Sequence, residues 1–246
     1  TAVKQGIKLV KDGAHILDIG GESSRPFATP VSEQEELDRV IPVIENLSKK
    51  INVPISIDTV KSNVAREALN AGASIINDIS AFEKDPAMAD LAAKRDIPVV
   101  LMHMKGTPET MQVDPDYDDL MVEITDYLKS RAEYAITKGI QKNHIILDPG
   151  IGFGKTIEHN LVIINRLMKI IDLGFPVLMG PSRKSFIQNI LSKKEKINIA
   201  SDNIKTQYGT MAAVAASILN GAHIVRVHDV KRIKSFTHII DSISNA

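Results

Sequence analysis

The 246 residues are sufficient for one large domain or two small ones, and because the hydrophobic content of 43% supports a sizeable core, we expect a single domain over residues 1–246. Lysine plus arginine and aspartate plus glutamate each number 30, so the formal net charge is zero and no nucleic-acid partner is expected. The sequence has no cysteine, which excludes disulfides and thiolate metal sites, and no apolar run near the roughly 20 residues of a membrane span; we expect a cytoplasmic protein with no membrane partner.

An amphipathic segment opens the chain and predicts a helix, with Val3, Ile7, Leu9 and Val10 ahead of Gly13. Seven short apolar runs rich in β-branched residues follow: HILDIGG near 15, PISIDT near 54, SIINDIS near 74, PVVLMH near 98, HIILDPG near 144, PVLMGPSRK near 176 and HIVRVHD near 223. Their apolar residues are continuous rather than alternating, which is typical of parallel strands buried on both faces.

Helical patterns lie between these runs. Ser32 and Glu35 form a capping box, and Pro42 further along predicts a kink or an early helix boundary. Residues 117–136 form an amphipathic helix that stops at Gly139, and residues 209–219 and 233–243 are two further helices.

The alternation of strands and helices predicts an α/β fold with a parallel sheet, either open and doubly wound or closed into a barrel. We count seven strand–helix units, preceded by a helix that has no strand before it. A closed (β/α)8 TIM barrel needs one strand more, which would belong immediately before Thr1. We therefore expect that this chain lacks its first strand and is N-terminally incomplete.

The stretch LDPGIGFGKT, residues 147–156, invites comparison with a phosphate-binding P-loop. A P-loop reads G-x-x-x-x-G-K-[ST], but only three residues separate Gly150 from Gly154 here, and Pro149 stands at the position of the first glycine. A proline also removes a backbone N–H from a loop whose purpose would be to donate such groups. We conclude that the glycines serve another purpose.

Polar side chains follow every predicted strand, at the end where a parallel sheet or barrel places its active site. These residues are Asp18; Asp58 and Thr59; Asn77 and Asp78; His103; Asp148; Ser182, Arg183 and Lys184; and Arg226, His228 and Asp229. Any one of them alone would be interpreted as a helix cap or a solvated loop residue. Seven strand ends together favour a functional site.

The polar set divides by charge. The acidic members are Asp58 and Asp148, and the cationic members are Arg25, Lys184, Arg226 and His228. A carboxylate can accept paired hydrogen bonds from an N–C–N edge, each worth roughly 1.5–3 kcal/mol, and arginine binds phosphate oxygens in the same bidentate way. The site therefore suits a nitrogen heterocycle that carries phosphate.

Seven motifs, in their order and spacing, closely resemble those of the dihydropteroate synthase family: DIGGESSRP, SIDT, IINDI, LMHMKGTP, LDPGIGFGKT, GPSRKSF and RVHDV. The resemblance spans nearly the whole chain. It implies a (β/α)8 barrel and a transferase of folate biosynthesis, inhibited by sulfonamides, that condenses 4-aminobenzoate with 6-hydroxymethyl-7,8-dihydropterin diphosphate to give 7,8-dihydropteroate and diphosphate. It also implies a Mg²⁺ cofactor and a homodimer.

The resemblance also implies roles for individual residues. Asp58, Asn77, Asp148 and Lys184 would bind the pterin; Ser24, Arg25, Pro26, Phe153 and Ser185 would bind aminobenzoate; and Ser24, Arg25, Arg226 and His228 would bind the diphosphate. The catalytic set would be Asp58, Asp148, Lys184, Arg226 and His228. The reaction implied is ionisation before attack: diphosphate departs, a cation forms beside the dihydropterin, and the arylamine adds to it.

Three features depart from the family pattern. We expect the first strand to be missing before Thr1, together with an asparagine that in the family usually helps to bind magnesium, so we name no metal ligand. Ser24 stands where threonine is usual, and Phe27 stands where glycine is common, which would stiffen the substrate loop.

Several further residues receive secondary interpretations. We expect Asp18 and Glu22 to hold the loop that carries Arg25, and the glycines after Asp148 to let the backbone pass the pterin pocket while Lys155 and Thr156 only start a helix. His103 is left open between a site residue and a partner of neighbouring backbone. Met104 is a candidate pocket wall, and His15, His144, His159 and His238 are expected at the surface or at helix ends.

Other functions remain possible at this point. A pterin-binding methyltransferase would use a similar barrel but needs no diphosphate site. A Schiff-base aldolase would use Lys184, with Arg183 lowering its pKa. A non-catalytic pterin-binding paralogue is a third alternative.

Overall fold

The computed structural model describes residues 1–25, 28–111, 113 and 115–246. Within these residues the strands are β1 Leu17–Gly20, β2 Ile55–Asp58, β3 Ile75–Asp78, β4 Val99–Met102, β5 Ile145–Asp148, β6 Leu178–Met179 and β7 Ile224–Val225. The helices are α1 Ala2–Lys11, α2 Glu33–Ser48, α3 Ser62–Asn70, α4 Ala87–Arg95, α5 Leu120–Thr137, α6 Ile157–Asn165, α7 Met168–Ile171, α8 Ser185–Glu195, α9 Ile204–Leu219 and α10 Val230–Ser244, with a short 3-10 helix at Lys142–His144. Each of the seven predicted strands is confirmed.

All strand pairs are parallel, as the continuous apolar runs predict. Strands β1 to β5 pair in chain order, β6 pairs with β7, and a single bridge between Leu147 and Val177 connects the two groups. The fold is therefore the expected α/β barrel arrangement. Over the part of the chain that the structure describes, no backbone ladder joins β7 to β1, which is the edge where a ring of eight strands would close.

The sheet lies inside and the helices pack around it. Strands β2, β3 and β4 are buried along almost their whole length, and Ile57, Ile76 and Leu101 have no exposed surface. One hydrophobic cluster extends from Leu17 in β1 to Phe186 and Ile187 in α8. Because the apolar residues are used for this core, the polar residues at the strand ends are left facing one rim.

Side-chain caps set the helix boundaries. Asp119 accepts hydrogen bonds from the Met121 and Val122 amides, so α5 begins at residue 120 rather than at 117. Asn203 caps α9 and Asp229 caps α10, and both helices begin earlier than the hydrophobic pattern predicted. A capping side chain stabilises the first turn independently of the apolar face, so periodicity alone missed these starts.

Helix α2 corrects one boundary. The Ser32 side chain accepts from the Glu35 amide, as the capping box predicts, but the helix continues through Pro42 to Ser48. An early boundary at Pro42 was therefore wrong. None of the helices within the described ranges is long and apolar enough to cross a membrane.

Candidate functional site

Carboxylates from neighbouring strands meet one arginine at the carboxyl-terminal rim of the sheet. Asp18 lies in β1, Asp58 ends β2, and Arg226 directly follows β7. The Arg226 Nε donates to Asp18 Oδ2 at 2.6 Å, and an Arg226 terminal nitrogen lies 3.4 Å from Asp58 Oδ2. Arg226, which follows β7, thus contacts side chains of both β1 and β2 across the edge where no backbone ladder is present among the described residues. The acidic Asp58 and the basic Arg226 therefore share one site, as predicted.

Asp18 has a different role from the one the sequence suggested. It accepts from Asn77 Nδ2 at 3.2 Å as well as from Arg226, and no contact with the Arg25 loop is present among the described residues. Residues 26 and 27 of that loop lie outside the described residues, so the expectation that Asp18 holds the loop stays a prediction. Residues in neighbouring strands are brought together by sheet register, with Gly20 opposite Asp58 and Asp58 opposite Asn77, and a single sequence does not reveal which side chains then touch.

The two carboxylates predicted to bind pterin have raised pKa values. Burial and the nearby charge of Asp18 raise the pKa of Asp58 to about 7, although Arg226 opposes this rise. Burial raises the pKa of Asp148 to about 6, against the hydrogen bond from the Gly150 amide and the charge of Lys184. Carboxyl groups that titrate near neutrality in a concave rim are typical of functional sites.

Lys184 lies beside Phe153. It is the residue before α8, and its Nζ lies 4.0 Å from the centre of the Phe153 ring. Burial lowers the pKa of Lys184 to about 8, with Arg226 contributing and Asp148 opposing. Arg183 is not among the causes of this shift, so the mechanism that we considered for an aldolase lysine does not apply.

His228 is held by Ser182, a residue to which sequence reasoning gave no individual role. Its Nδ1 lies 3.0 Å from Ser182 Oγ, and its backbone amide donates to the same hydroxyl. Burial lowers the pKa of His228 to about 4, with the charges of Arg183, Arg226, Arg25 and Lys184 adding to the effect. The imidazole is therefore neutral at pH 7 in this state, which corrects its place in the cationic set.

The loop after β1 contributes Ser24 to a cavity, which Glu22, Asp58 and Thr59 also line. Arg25 is exposed, and its charge is close enough to lower the pKa of His228. Pro26 and Phe27 lie outside the described residues, so the predictions made for them stay predictions.

The base of that loop is tied by ion pairs, as expected for Glu22. The Glu22 carboxylate accepts from the Val31 amide at 3.3 Å and from Lys61 Nζ at 2.7 Å. Lys61 also donates to the Val31 carbonyl and to Glu36, whose side chain is only 1% exposed. Lys61 thus contacts both ends of the loop, at residue 22 and at residue 31.

The remaining aminobenzoate candidates lie near Lys184. Phe153 is half-buried under the lysine, and Ser185 is exposed as the first residue of α8. Met104, the candidate pocket wall, lines a second cavity together with Ser23, Thr107 and Pro108. The loops after β1 and β4 therefore line the same cavity.

The glycines after Asp148 have a purpose other than phosphate binding. Gly150 has φ +69°, and a Cβ there would lie 2.0 Å from the His103 carbonyl oxygen; at Gly154, with φ +65°, a Cβ would lie 2.4 Å from the Lys105 carbonyl oxygen. The loop after β5 therefore packs directly on the backbone of the loop after β4. Only glycine fits because both the backbone angle and the space exclude a side chain.

Lys155 is a residue that sequence reasoning missed. Thr156 does start α6, in a reciprocal capping box with His159, as expected. Lys155, however, is only 2% exposed, and its Nζ lies 3.0 Å from His103 Nδ1 and 2.8 Å from the Phe153 carbonyl oxygen. His103 is thus a buried partner of a lysine, a role that neither of the two alternatives considered for it had included.

The remaining histidines that we expected away from the site behave accordingly. His15 and His238 are exposed, and His144 ends the short 3-10 helix. Among the described residues, no group of three or more histidine and acidic side chains is arranged to hold a metal ion. The carboxylates of Asp18 and Asp58 instead face Arg226.

Comparison with known proteins gives one consistent result. Residues 1–228 match the family described as pterin binding enzyme. The chain is 44% identical over 246 residues to the dihydropteroate synthase of Synechocystis sp., which covers 99% of this chain and 82% of that protein.

Solved structures are similar over the same extent. The dihydropteroate synthase of Yersinia pestis with a sulfonamide drug complex has a TM-score of 0.93 at 40% identity, covering 99% of this chain and 86% of that one. The dihydropteroate synthase of Xanthomonas albilineans in complex with 7,8-dihydropteroate has a TM-score of 0.87 at 36% identity, covering 99% of this chain and 84% of that one.

Proposed function

Because this chain belongs to the pterin-binding enzyme family and its close relatives are dihydropteroate synthases, we propose that it is a transferase of folate synthesis that makes 7,8-dihydropteroate. Its substrates are 4-aminobenzoate and 6-hydroxymethyl-7,8-dihydropterin diphosphate. The observation that carries this function is the convergence of Asp58, Asp148, Lys184 and Arg226 on one rim, since each perturbs the pKa of another.

The acidic side of the rim suits the pterin ring. Asp58 and Asp148 offer carboxylate oxygens to the ring's N–H groups, Asn77 adds an amide, and Lys184 supplies a donor from the start of α8. Asp148 is buried and Asp58 is half-buried, so each hydrogen bond is stronger than it would be in water. A ring that becomes more positive during the reaction is stabilised by the same two charges.

The basic side suits the leaving group. In the reaction the bond between the pterin methylene carbon and the diphosphate oxygen breaks, and its electron pair leaves with the diphosphate. We assign the stabilisation of that charge to Arg226, Arg25 and His228, because the charges of both arginines act on the imidazole, which Ser182 holds. The amine nitrogen of aminobenzoate then bonds to the methylene carbon and loses one proton to solvent or to the diphosphate.

We place the second substrate, aminobenzoate, between the loop after β1, the loop after β5 and the start of α8. Phe153 offers an aromatic face, Ser24 and Ser185 offer hydroxyl groups, and Arg25 offers a cation for the benzoate carboxylate or the diphosphate. We extend the same role to Pro26 from its position in the motif.

Mg²⁺ remains part of the proposal as a companion of the diphosphate. The described residues contain no set of carboxylates and histidines fit to hold the ion by themselves. Mg²⁺ commonly binds through substrate phosphates with few protein ligands. We therefore assign it no protein ligand and no step.

We also propose a cytoplasmic homodimer. The support is a set of large apolar side chains left exposed on α9 and α10, helices on the outside of the barrel: Ile204, Tyr208, Leu219, Ile239 and Ile243. Light scattering coupled to size-exclusion chromatography tests the assembly, and a monomer at micromolar concentration would contradict it.

The test of function is turnover. The chain is incubated with aminobenzoate, the dihydropterin diphosphate and Mg²⁺, and 7,8-dihydropteroate is quantified by chromatography, with Asp148→Asn as the inactive control. Product that depends on both substrates is expected. Pterin binding without product would favour a non-catalytic paralogue, and methyl transfer from a folate donor would favour the methyltransferase alternative.

A further inference from the structure

A buried lysine lies behind the pterin site and has no role in the reaction described above. Lys155 is 2% exposed, and its Nζ faces three acceptors: His103 Nδ1 at 3.0 Å, the Phe153 carbonyl at 2.8 Å and the His103 carbonyl at 3.4 Å. Two of these acceptors belong to the loop after β4, and one belongs to the loop after β5. The lysine thus ties together the two loops that the glycines bring into contact.

We propose that Lys155 is a positioning residue for the condensation, which fixes the Phe153 wall of the aminobenzoate pocket and places a positive charge near Asp148 from the loop after β5. This inference rests on the proposed function. Lys155 itself contacts no substrate, because its three donors are already used within the protein.

The hydrogen-bond geometry favours the ammonium form. An ammonium has three N–H donors, and the three acceptors around Lys155 match that number. Burial and the charge of Lys184 lower the pKa of Lys155 to about 7, while Asp148 opposes the shift. An uncharged amine would leave one of the three acceptors without a donor. The negative charge of Asp148 and the positive charge of Lys155 also stabilise each other.

The same contacts define the state of His103. Because Nδ1 accepts from Lys155, the ring proton lies on Nε2, and burial together with the Lys155 charge lowers the pKa of His103 well below its usual range. His103 packs edge-on against Tyr127, with ring centres 4.9 Å apart. The acceptor that holds Lys155 is therefore itself fixed in a packed pocket.

The effect on the substrate side passes through Phe153. Its carbonyl is held by Lys155, and its ring lies under the Lys184 ammonium at 4.0 Å. Loss of the Lys155 contact removes the side-chain donor that holds the Phe153 carbonyl, so the Phe153 ring, which is both the proposed pocket wall and the partner of Lys184, is held less firmly. A small displacement of a positioned substrate group is enough to slow a reaction by an order of magnitude.

The effect on Asp148 is electrostatic. The groups that face this carboxylate are the Gly150 amide, Lys184 from the start of α8, Arg226 after β7 and Lys155. All four lower its pKa against the effect of burial. Removing the Lys155 charge leaves three, so Asp148 will protonate at a higher pH.

The experiment compares Lys155→Met with Lys155→Arg, and uses the exposed Lys49→Met as the matched control. Lys155→Met is expected to raise the KM for aminobenzoate about tenfold and to move upward by about half a pH unit the Asp148 step in the acid limb of pterin affinity, the other step belonging to Asp58. Lys155→Arg should restore the position of the acid limb, because it keeps the charge. Equal KM values and an unmoved acid limb in a folded Lys155→Met protein would overturn the inference.

A second pair of variants separates contact from charge and covers a Lys155→Met protein that does not fold. His103→Leu removes the acceptor and keeps the lysine, so KM for aminobenzoate should rise without an upward shift of the acid limb. His103→Asn offers an oxygen near the Nδ1 position and should retain the wild-type KM; a matching rise in both variants would overturn the inference. Pterin affinity is measured by calorimetry without turnover, so inactive wild-type protein would refute the proposed function while the acid-limb comparison still tests Lys155.

Discussion

Arg226 Nε donates to Asp18 Oδ2 at 2.6 Å, and this contact spans the edge between β7 and β1, where no backbone ladder is present in the described chain. The guanidinium extends on toward Asp58 Oδ2 at 3.4 Å. Arg226, the arginine that we propose for the diphosphate, is therefore anchored by Asp18, whose charge also raises the pKa of Asp58, a proposed pterin ligand. Under the proposed function, Asp18 would couple recognition of the two ends of one substrate.

Asp18→Asn should shift the pH dependence of pterin affinity. The charge of Asp18 is one of the causes that raise the pKa of Asp58 to about 7, so its removal lowers that pKa. Because the carboxylate form binds the ring, the acid limb will move to lower pH and affinity at pH 6 will increase. Calorimetry between about pH 5.5 and 8.5 measures this shift.

The matched control for that variant is Asp12→Asn, which removes a carboxylate of similar exposure that is paired with Lys8 at the end of α1. It should leave the pH profile unchanged. An acid limb that stays in place in Asp18→Asn would mean that Asp58 does not respond to its neighbour.

His228 should take up a proton when diphosphate binds. Its pKa of about 4 reflects burial among four cationic side chains, and an anion placed among the same groups reverses the electrostatic part of that shift. We therefore expect the imidazole signals of His228 in a titration followed by NMR to shift to a pKa nearer its usual value of about 6.5 in saturating inorganic diphosphate. His228→Asn assigns the signal, and an unchanged pKa would place the anion elsewhere.

The sequence was sufficient to identify the seven strands and the polar residues that end them. The strong signals were continuous apolar runs followed by charged or amide side chains, as in SIDT and HIILDPG. Such local patterns record burial on both faces and the position of the rim. They predicted that Asp58, Asn77 and Asp148 share a site, and the structure brings these residues to the same rim.

Long-range contacts were the part that could not be predicted. The Asp18–Arg226 pair joins residues 208 positions apart, and the Lys155–His103 pair joins residues 52 positions apart. Lys155 was read as a helix-start residue because its neighbour Thr156 is one, and nothing in the local pattern distinguishes a buried lysine from an exposed one. The neutral state of His228 likewise depends on cations from three separate segments.

Asp148→Asn should stabilise the ligand-free protein at alkaline pH. Burial raises the folded-state pKa of Asp148 from 3.8 to about 6, which corresponds to at most about 3 kcal/mol once the carboxylate is fully ionised. Since the folded state holds the proton more tightly, its contribution to stability is complete below about pH 4 and is lost as the pH rises through about 6. Asparagine keeps an oxygen for the Gly150 amide and avoids the buried charge.

The measurement is urea unfolding of both proteins at pH 4.5 and pH 8. The variant should gain about 1–2 kcal/mol over wild type at pH 8 and much less at pH 4.5, while losing pterin binding at both. A variant that is less stable than wild type at pH 8 would show that Lys155 and Lys184 compensate the carboxylate fully. The expected gain at pH 8 would measure how much stability the protein gives up for a charged group at the proposed pterin contact.

Lys61→Met should loosen the base of the substrate loop and destabilise the fold. The lysine neutralises Glu36, a side chain that is 1% exposed and already has one carboxylate oxygen without a partner among the described residues. Removing the cation leaves a buried charge, at a cost of about 3 kcal/mol, the low end for such pairs because Lys61 is partly exposed. The Glu22 and Val31 ends of the loop also lose their common donor, so the KM for aminobenzoate should rise.

The double variant Lys61→Met with Glu36→Gln separates these two consequences. Its free energy of unfolding should recover most of the loss, since no buried carboxylate remains, but its KM should stay raised because Glu22 and Val31 are still untied. Urea unfolding and steady-state kinetics measure the two quantities on the same samples. If KM recovered together with stability, the loop would depend only on the contact between Lys61 and Glu36 in α2. The contacts of Lys61 with Glu22 and Val31 would then contribute nothing to substrate binding.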